Sequence, residues 1–271
     1  MPLHPAASDR CDIGIVFALA IEADAFARRV TDRVELRGTG PAFHTGCLAG
    51  GRVAWCVSGI GGAAAGRATR LLIDGHRPRL IVSAGFAGGL DPALPRGAVV
   101  RPEAVIAADE IGGSRIALTP AARGGHMLLV SVHRVAATVA EKRDLAVRTA
   151  AGIVDMETHA IATAAAAAGL PCRAVRVVSD DAAQPLPAEV AALARPQSAV
   201  RRLGAVLGAV GRRPSAAVDL WRLYEHAVVD GRTLAAALER LCGEMADSTA
   251  VTAARPAASP AGSAADPPPA P

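Results

Sequence analysis

The sequence predicts an α/β protein, a sheet with helices on both faces and more helices after it, and three observations predict this. Short, wholly apolar runs alternate with stretches of helical spacing, the pattern of strands covered on both sides. Several of those runs end in small or polar residues: Leu80-Ile81-Val82 leads into Ser83-Ala84-Gly85, and Val175-Arg176-Val177-Val178 into Ser179-Asp180. Open α/β sheets hold their ligands at such carboxyl ends of strands. Aromatic residues are only 3% of the chain while hydrophobic residues are 51%, so the core has to be made of Ala, Val, Leu and Ile.

The elements follow in order. A strand is predicted over Ile13–Phe17 and a helix over Ile21–Val30. A second strand, Arg52–Ser58, runs through a glycine turn into a helix over Ala63–Gly75. Strands are then predicted over Leu80–Ala84, Ala98–Ile106 and Met127–Val132, and a helix over Ala136–Thr149. The strand Gly152–Met156, the helix Thr158–Gly169 and the strand Arg173–Ser179 complete the alternation. Residues 197–242 differ: Val200, Leu203, Val206, Leu207 and Val210, then Val218, Trp221, Tyr224 and Val228, then Leu234, Leu238 and Leu241 recur at helical spacing. They predict two or three appended helices. From Ala246 onward Ala, Pro, Ser and Gly dominate, and a segment with so little to bury is expected to be a disordered tail. The domain reading is therefore 10–195 as the sheet domain, 196–245 as a helical extension packed on it and 246–271 as the tail.

Composition excludes several function classes. The 29 Lys and Arg outnumber 25 Asp and Glu by four, but the excess is scattered arginine rather than a basic block. With aromatic rows also missing, no nucleic-acid partner is expected. The five cysteines are odd in number and none stands at metal-ligand spacing, so they are expected to be reduced thiols and no metal is expected. The first ten residues lack a signal-peptide apolar region. No apolar run reaches the roughly 18 residues of a spanning helix. A cytoplasmic location is expected.

Four short stretches could carry chemistry. Ser58-Gly59-Ile60-Gly61-Gly62-Ala63-Ala64 follows a strand and opens a helix, as a dinucleotide fingerprint does. It lacks the acidic residue that should close the next strand, and a tight turn gives the same pattern. Ser83-Ala84-Gly85-Phe86-Ala87-Gly88-Gly89 places glycines after a strand, where backbone N–H groups can face a ligand. Val154-Asp155-Met156-Glu157-Thr158 puts two carboxylates where a strand ends and a helix begins, and helix capping explains one such acid. Val177-Val178-Ser179-Asp180-Asp181 ends another strand in carboxylates, and Glu22 follows the first strand. Acids at several strand ends can converge in one cleft.

Taken in this order, Glu22, Ser58-Gly59-Ile60-Gly61, Gly85-Phe86-Ala87-Gly88-Gly89-Leu90, Asp155-Met156-Glu157 and Arg176-Val177-Val178-Ser179-Asp180 resemble the purine nucleoside phosphorylase superfamily, in its methylthioadenosine/S-adenosylhomocysteine nucleosidase branch. The resemblance covers roughly residues 12–185. The stretch from Asp155-Met156-Glu157-Thr158-His159 to Leu186-Pro187, with Arg212-Arg213-Pro214 beyond it, is also similar to hopanoid-associated phosphorylase-like proteins.

The resemblance implies a central mixed sheet flanked by helices and cleavage of the N-glycosidic bond between ribose and a purine, with no cofactor. It implies Asp180 as the acid that protonates the purine and Glu22 as the base that activates water. It implies Glu157 as the holder of the ribose hydroxyls, with Met156 beneath the sugar. Gly85, Phe86, Ala87, Asp155 and Ser179 join Met156 and Glu157 as substrate-binding residues. His159 reads as an ordinary helical residue and Arg176 as a neutraliser of neighbouring acids.

Three departures matter: Phe86 stands where the nucleosidases often have serine, His133-Arg134-Val135 stands where an aromatic residue is expected, and the loop Phe17-Ala18-Leu19-Ala20 carries no arginine for phosphate. Water is therefore favoured over phosphate as nucleophile. The expected substrate is methylthioadenosine or S-adenosylhomocysteine, alternatively an adenosine carrying a hopanoid. A homodimer and peripheral membrane contact are further expectations. The rival from another class is a non-catalytic nucleoside-binding module.

Overall fold

The structure is a computed structural model that describes residues 10–38, 40–108, 115–119, 127–186 and 215–254, the last segment with side chains over 224–247. Its first half runs β1 (Ile13–Phe17), α1 (Ala20–Ala27), β2 (Thr31–Leu36), β3 (Phe43–Leu48), β4 (Gly51–Val57), α2 (Gly62–His76) and β5 (Leu80–Gly89). Then come β6 (Val99–Val100), β7 (Ala104–Ala107), β8 (Ile116–Ala117), β9 (Leu128–Ser131), α3 (Val139–Thr149), β10 (Ile153–Asp155), α4 (Thr158–Ala167), β11 (Cys172–Asp180) and α5 (Ser215–Ala254).

β1 is buried at every position because both of its faces are covered. It pairs in parallel with β4 and β5. β4 in turn pairs antiparallel with β3, and β3 with the edge strand β2. β5 also pairs in parallel with β11 over Ile81–Gly88, while its last glycines meet β10 antiparallel. The sheet continues through β9 to β7 and β8, and is mixed as expected.

Ile13, Ile15 and Phe17 pack with Phe26 of α1 and with Leu234, Leu238 and Leu241 of α5. On the opposite side Val16 packs with Leu72 of α2 and with Ile161 and Ala165 of α4. Each fully buried leucine stabilises by about 1.5–3 kcal/mol relative to an exposed one, so α5 belongs to the core.

Several expectations are corrected. The strand from Leu80 runs on through the glycines to Gly89. The predicted strand Ala98–Ile106 is two strands, with Pro102, which lacks a ladder donor, between them. β2 and β3 were not predicted; β2 is exposed throughout and its two large apolar residues, Val34 and Leu36, make no apolar run to read. The helix predicted from Ala136 starts at Val139, because Thr138 caps it: Thr138 accepts from the Glu141 N–H at 3.2 Å, and the Glu141 carboxylate accepts from the Thr138 N–H at 2.9 Å.

Val218 and Leu241 lie on one helix, not two. The apolar spacing lapses at Asp230 because Asp230 is buried against Arg96, at 2.6 Å. That helix runs to Ala254, past Ala246 where the tail was expected to begin. The helical spacing from Val200 to Val210 and the chain beyond 254 lie outside the described residues. All five cysteines are free, and burial pushes the thiols of Cys11, Cys56, Cys172 and Cys242 up to about 12.

Candidate active site

The site is built at the carboxyl ends of β1, β5, β10 and β11. Glu22 stands in the first turn of α1, directly after β1, and is buried. Its carboxylate accepts from the N–H groups of Ala18 at 3.0 Å, Leu19 at 2.8 Å and Phe86 at 2.9 Å. Burial pushes its pKa above the usual carboxylate value, and these N–H groups together with the Arg176 charge oppose the rise.

The glycines of β5 make room for the acids. A Cβ on Gly85 would stand 2.7 Å from Glu22 Oε1, and one on Gly88 would stand 3.3 Å from Asp180 Oδ2. The stretch that reads in sequence as a ligand-cradling loop is thus a strand whose missing side chains admit two carboxylates. Gly85 packs against Glu22 and is not among the residues that line the cavity.

Glu157 precedes α4 and accepts from the Gly61 N–H at 2.7 Å. The glycine turn after β4 therefore holds an acid from the opposite side of the site, and the N–H that would face a dinucleotide is spent. Burial first, and the Asp155 charge second, push Glu157 up to about 7.

Asp155 is placed differently. Its side chain is 1% exposed. It accepts from Ser131 Oγ at 2.5 Å, from Arg176 Nη2 at 2.7 Å, from the Thr158 N–H at 3.1 Å and from Thr158 Oγ1. Both oxygens are occupied. Asp155, expected to bind substrate, lines the cavity and is also the counter-ion of Arg176. That arginine also donates to Ser83 Oγ at 2.6 Å and to the Ser83 carbonyl at 2.8 Å. Buried among Glu22, Asp155 and Glu157, it is the neutraliser the sequence suggested.

Asp180 ends β11. Its Oδ1 accepts from Ser179 Oγ at 2.7 Å, and its Oδ2 from Lys142 Nζ at 2.5 Å. Lys142, on α3, was missed. The readable signal was its position three residues before Leu145, the other buried residue of that helix.

A cavity of about 540 Å³ joins these groups. Glu22, Phe86, Ala87, Asp155, Met156, Glu157, Ser179 and Asp180 all line it, so every expected site residue except Gly85 reaches its wall. His133 and His159 do not; of His133-Arg134-Val135, which stand where an aromatic residue was expected, Val135 lines the wall, as does the preceding Val132. Sequence reasoning also missed Arg96 and the α5 residues His226 and Asp230, which line the same cavity. Arg96 is the only Lys or Arg among the described lining residues. Its guanidinium is taken by Asp230 and by the Ser179 carbonyl, at 3.1 Å. Among the described residues no cluster of His, Cys, Asp and Glu could hold a metal ion, and no helix is long and apolar enough to cross a membrane.

Comparison with known proteins follows the same lines. Curated methylthioadenosine/S-adenosylhomocysteine nucleosidases match part of the chain. The protein of Pseudoalteromonas translucida is 39% identical over 89 residues, which is 33% of this chain and 38% of that protein. That of Tolumonas auensis is 39% identical over 88 residues, 32% and 38% respectively. The matched region thus spans under half the length of these relatives.

Among solved structures, the Colwellia psychrerythraea nucleosidase in complex with adenine superposes with a TM-score of 0.60 at 25% identity, covering 64% of this chain and 84% of that one. The S-adenosylhomocysteine nucleosidase of Streptococcus pyogenes shares the fold, with a TM-score of 0.67 at 18% identity over 88% of this chain and 99% of that one. The profile of the phosphorylase superfamily matches residues 12–127 and 127–210, and the chain belongs to that superfamily.

Proposed function

We propose that the protein hydrolyses the N-glycosidic bond of adenine nucleosides of the methylthioadenosine/S-adenosylhomocysteine type. The observation that supports this most is the convergence of Glu22, Glu157 and Asp180, from three separate elements, on one cavity. In this reading Asp180 gives its proton to the purine while the electron pair of the C1′–N9 bond moves onto the base. The ribose is left as an oxocarbenium-like cation. Water adds its oxygen to C1′ and loses a proton to Glu22. Glu157 holds the ribose hydroxyls, and Met156 lies under the ring. Proton transfer at each end contributes about 10²–10⁴-fold.

Water is favoured over phosphate by charge. Among the described lining residues the one arginine, Arg96, is already paired with Asp230 and the Ser179 carbonyl, so the wall offers an incoming phosphate no free cation. An adenosine with a bulky apolar 5′ chain is a second reading. One observation favours it: α5 itself contributes Tyr224 and Ala227 to the wall, and Tyr224 is 57% exposed, so that side is open. Homodimer formation and membrane contact belong to the same proposal, and sedimentation and liposome binding test them.

The direct experiment incubates the protein with methylthioadenosine, S-adenosylhomocysteine, adenosine and a long-chain 5′-alkylthioadenosine, with and without phosphate. Free adenine is expected at a rate indifferent to phosphate. Binding of these nucleosides without adenine release would establish the non-catalytic module instead.

A further inference from the structure

A lysine that is 1% exposed needs an account, because a buried ammonium without partners is costly. Lys142 is held by α3, whose first turn is fixed by Thr138 and Glu141. Its Nζ lies 2.5 Å from Asp180 Oδ2, 2.6 Å from the Asp181 carbonyl and 2.8 Å from the Gln184 carbonyl. An ammonium has three N–H groups, so the set is complete. Two acceptors belong to the turn that follows β11, and the next residues, Pro185 and Leu186, line the cavity with Gln184. One cation thus ties down both the proposed acid and the rim beside it.

We infer that Lys142 is the positioning residue for proton delivery: it pins Oδ2 of Asp180 and leaves Oδ1 to carry the proton to the leaving base. This rests on the nucleosidase reading of the cavity. Ser179 completes the arrangement, since its Oγ is 2.7 Å from Oδ1 and 3.3 Å from the Ala87 carbonyl. While Oδ1 is ionised, the Ser179 hydroxyl donates to it. When Oδ1 carries the proton, that hydroxyl turns to Ala87. The proton passes from Oδ1 to the purine as the glycosidic electron pair moves onto the base, and the carboxylate left behind is met by Lys142 and Ser179.

The other charged groups around the cavity are Glu22 from α1, Arg96 from the segment after β5, Asp155 and Glu157 between β10 and α4, and His226 and Asp230 from α5. Asp181 follows Asp180 in the chain. Among the described residues only Lys142 forms an ion pair with the Asp180 carboxylate.

The test is kcat and KM for adenine release by the full chain, comparing wild type, Lys142→Gln and Lys142→Arg. In Lys142→Gln kcat is expected to fall about 10-fold with KM within about 2-fold of wild type. In Lys142→Arg, which keeps the cation, kcat is expected to recover to within about 3-fold of wild type. A merely structural lysine would loosen the rim, raising KM with kcat little changed, or would not be rescued by arginine, and either result overturns the inference.

A second comparison holds even if Lys142→Gln fails to fold, because the double variant strands neither charge. Adding Lys142→Gln to Asp180→Asn should cost less than about 3-fold further in kcat, since both changes act on one step; a further loss of about 10-fold or more overturns the inference. No adenine release by the wild type would overturn the nucleosidase reading and this inference together, whereas a raised KM or a failed rescue in an active series overturns this inference alone.

Discussion

The site contains two buried cation–carboxylate pairs, and they differ in what they leave free. In Arg176–Asp155 the carboxylate is 1% exposed and meets Ser131, Thr158 and Arg176. In Lys142–Asp180 the carboxylate is 12% exposed, faces the cavity and meets one cation and one hydroxyl. The serine can release its bond; the arginine network cannot without stranding a buried charge. A strand-end aspartate is therefore structural or chemical according to how many donors already hold it. Position in the sequence does not decide this.

The comparison breaks most sharply at Asp155. Asp155→Asn should cost about 3–5 kcal/mol, because it leaves Arg176 buried without its counter-ion. Thermal unfolding checks this; a midpoint within about 2 °C of wild type would show that the two pairs are alike after all. Asp180→Asn should do the reverse, lowering kcat by about 10²-fold or more with a modest change in midpoint. Adenine release at matched folded concentration reads it, and near-normal turnover would remove Asp180 from the role of acid.

Gly85→Ala sharpens the contrast between support and chemistry. The new methyl group would stand 2.7 Å from Glu22 Oε1, so the base must shift. We expect kcat to fall about 10-fold with KM nearly unchanged; an unaltered kcat would mean that the place of Glu22 is not critical.

The smallest effect concerns Glu157, whose pKa is pushed up to about 7 from the carboxylate value of 4.5. A carboxyl raised in the folded state stabilises the fold below its unfolded pKa, and that contribution is lost as pH rises through the folded value. Stability should therefore fall between about pH 4.5 and 7. Glu157→Gln, which cannot ionise, should flatten that decline and raise the midpoint relative to wild type at pH 8 but not at pH 4. Parallel midpoint curves for the two proteins would contradict the assignment.

Much of this was legible because strand ends are. Apolar runs that end just before Glu22, Glu157 and Asp180 announce a cleft at the carboxyl ends of strands in a mixed sheet, and all three acids reach it. What was not legible depended on pairing across the fold. The role of Gly85 becomes visible only when Glu22 is packed against it. Nothing local to Asp155 says that Ser131 and Arg176 will saturate it. Lys142 lies far from Asp180 in sequence, and its burial is set by the turn that accepts its other N–H groups. The edge strand Thr31–Leu36 carried only Val34 and Leu36 as an apolar signal, because it buries nothing. Asp230 looked like a gap in a helical pattern because its partner, Arg96, lies on a different element.

The central claim is that this cavity uses water to cut adenine from its sugar. The most direct measurement runs the reaction with methylthioadenosine in phosphate-free buffer made with heavy-oxygen water, and analyses both products by mass spectrometry. The account predicts free adenine and a methylthioribose carrying the heavy oxygen at C1′, with the same rate when phosphate is restored. A product formed only in the presence of phosphate, as a sugar 1-phosphate, would contradict it.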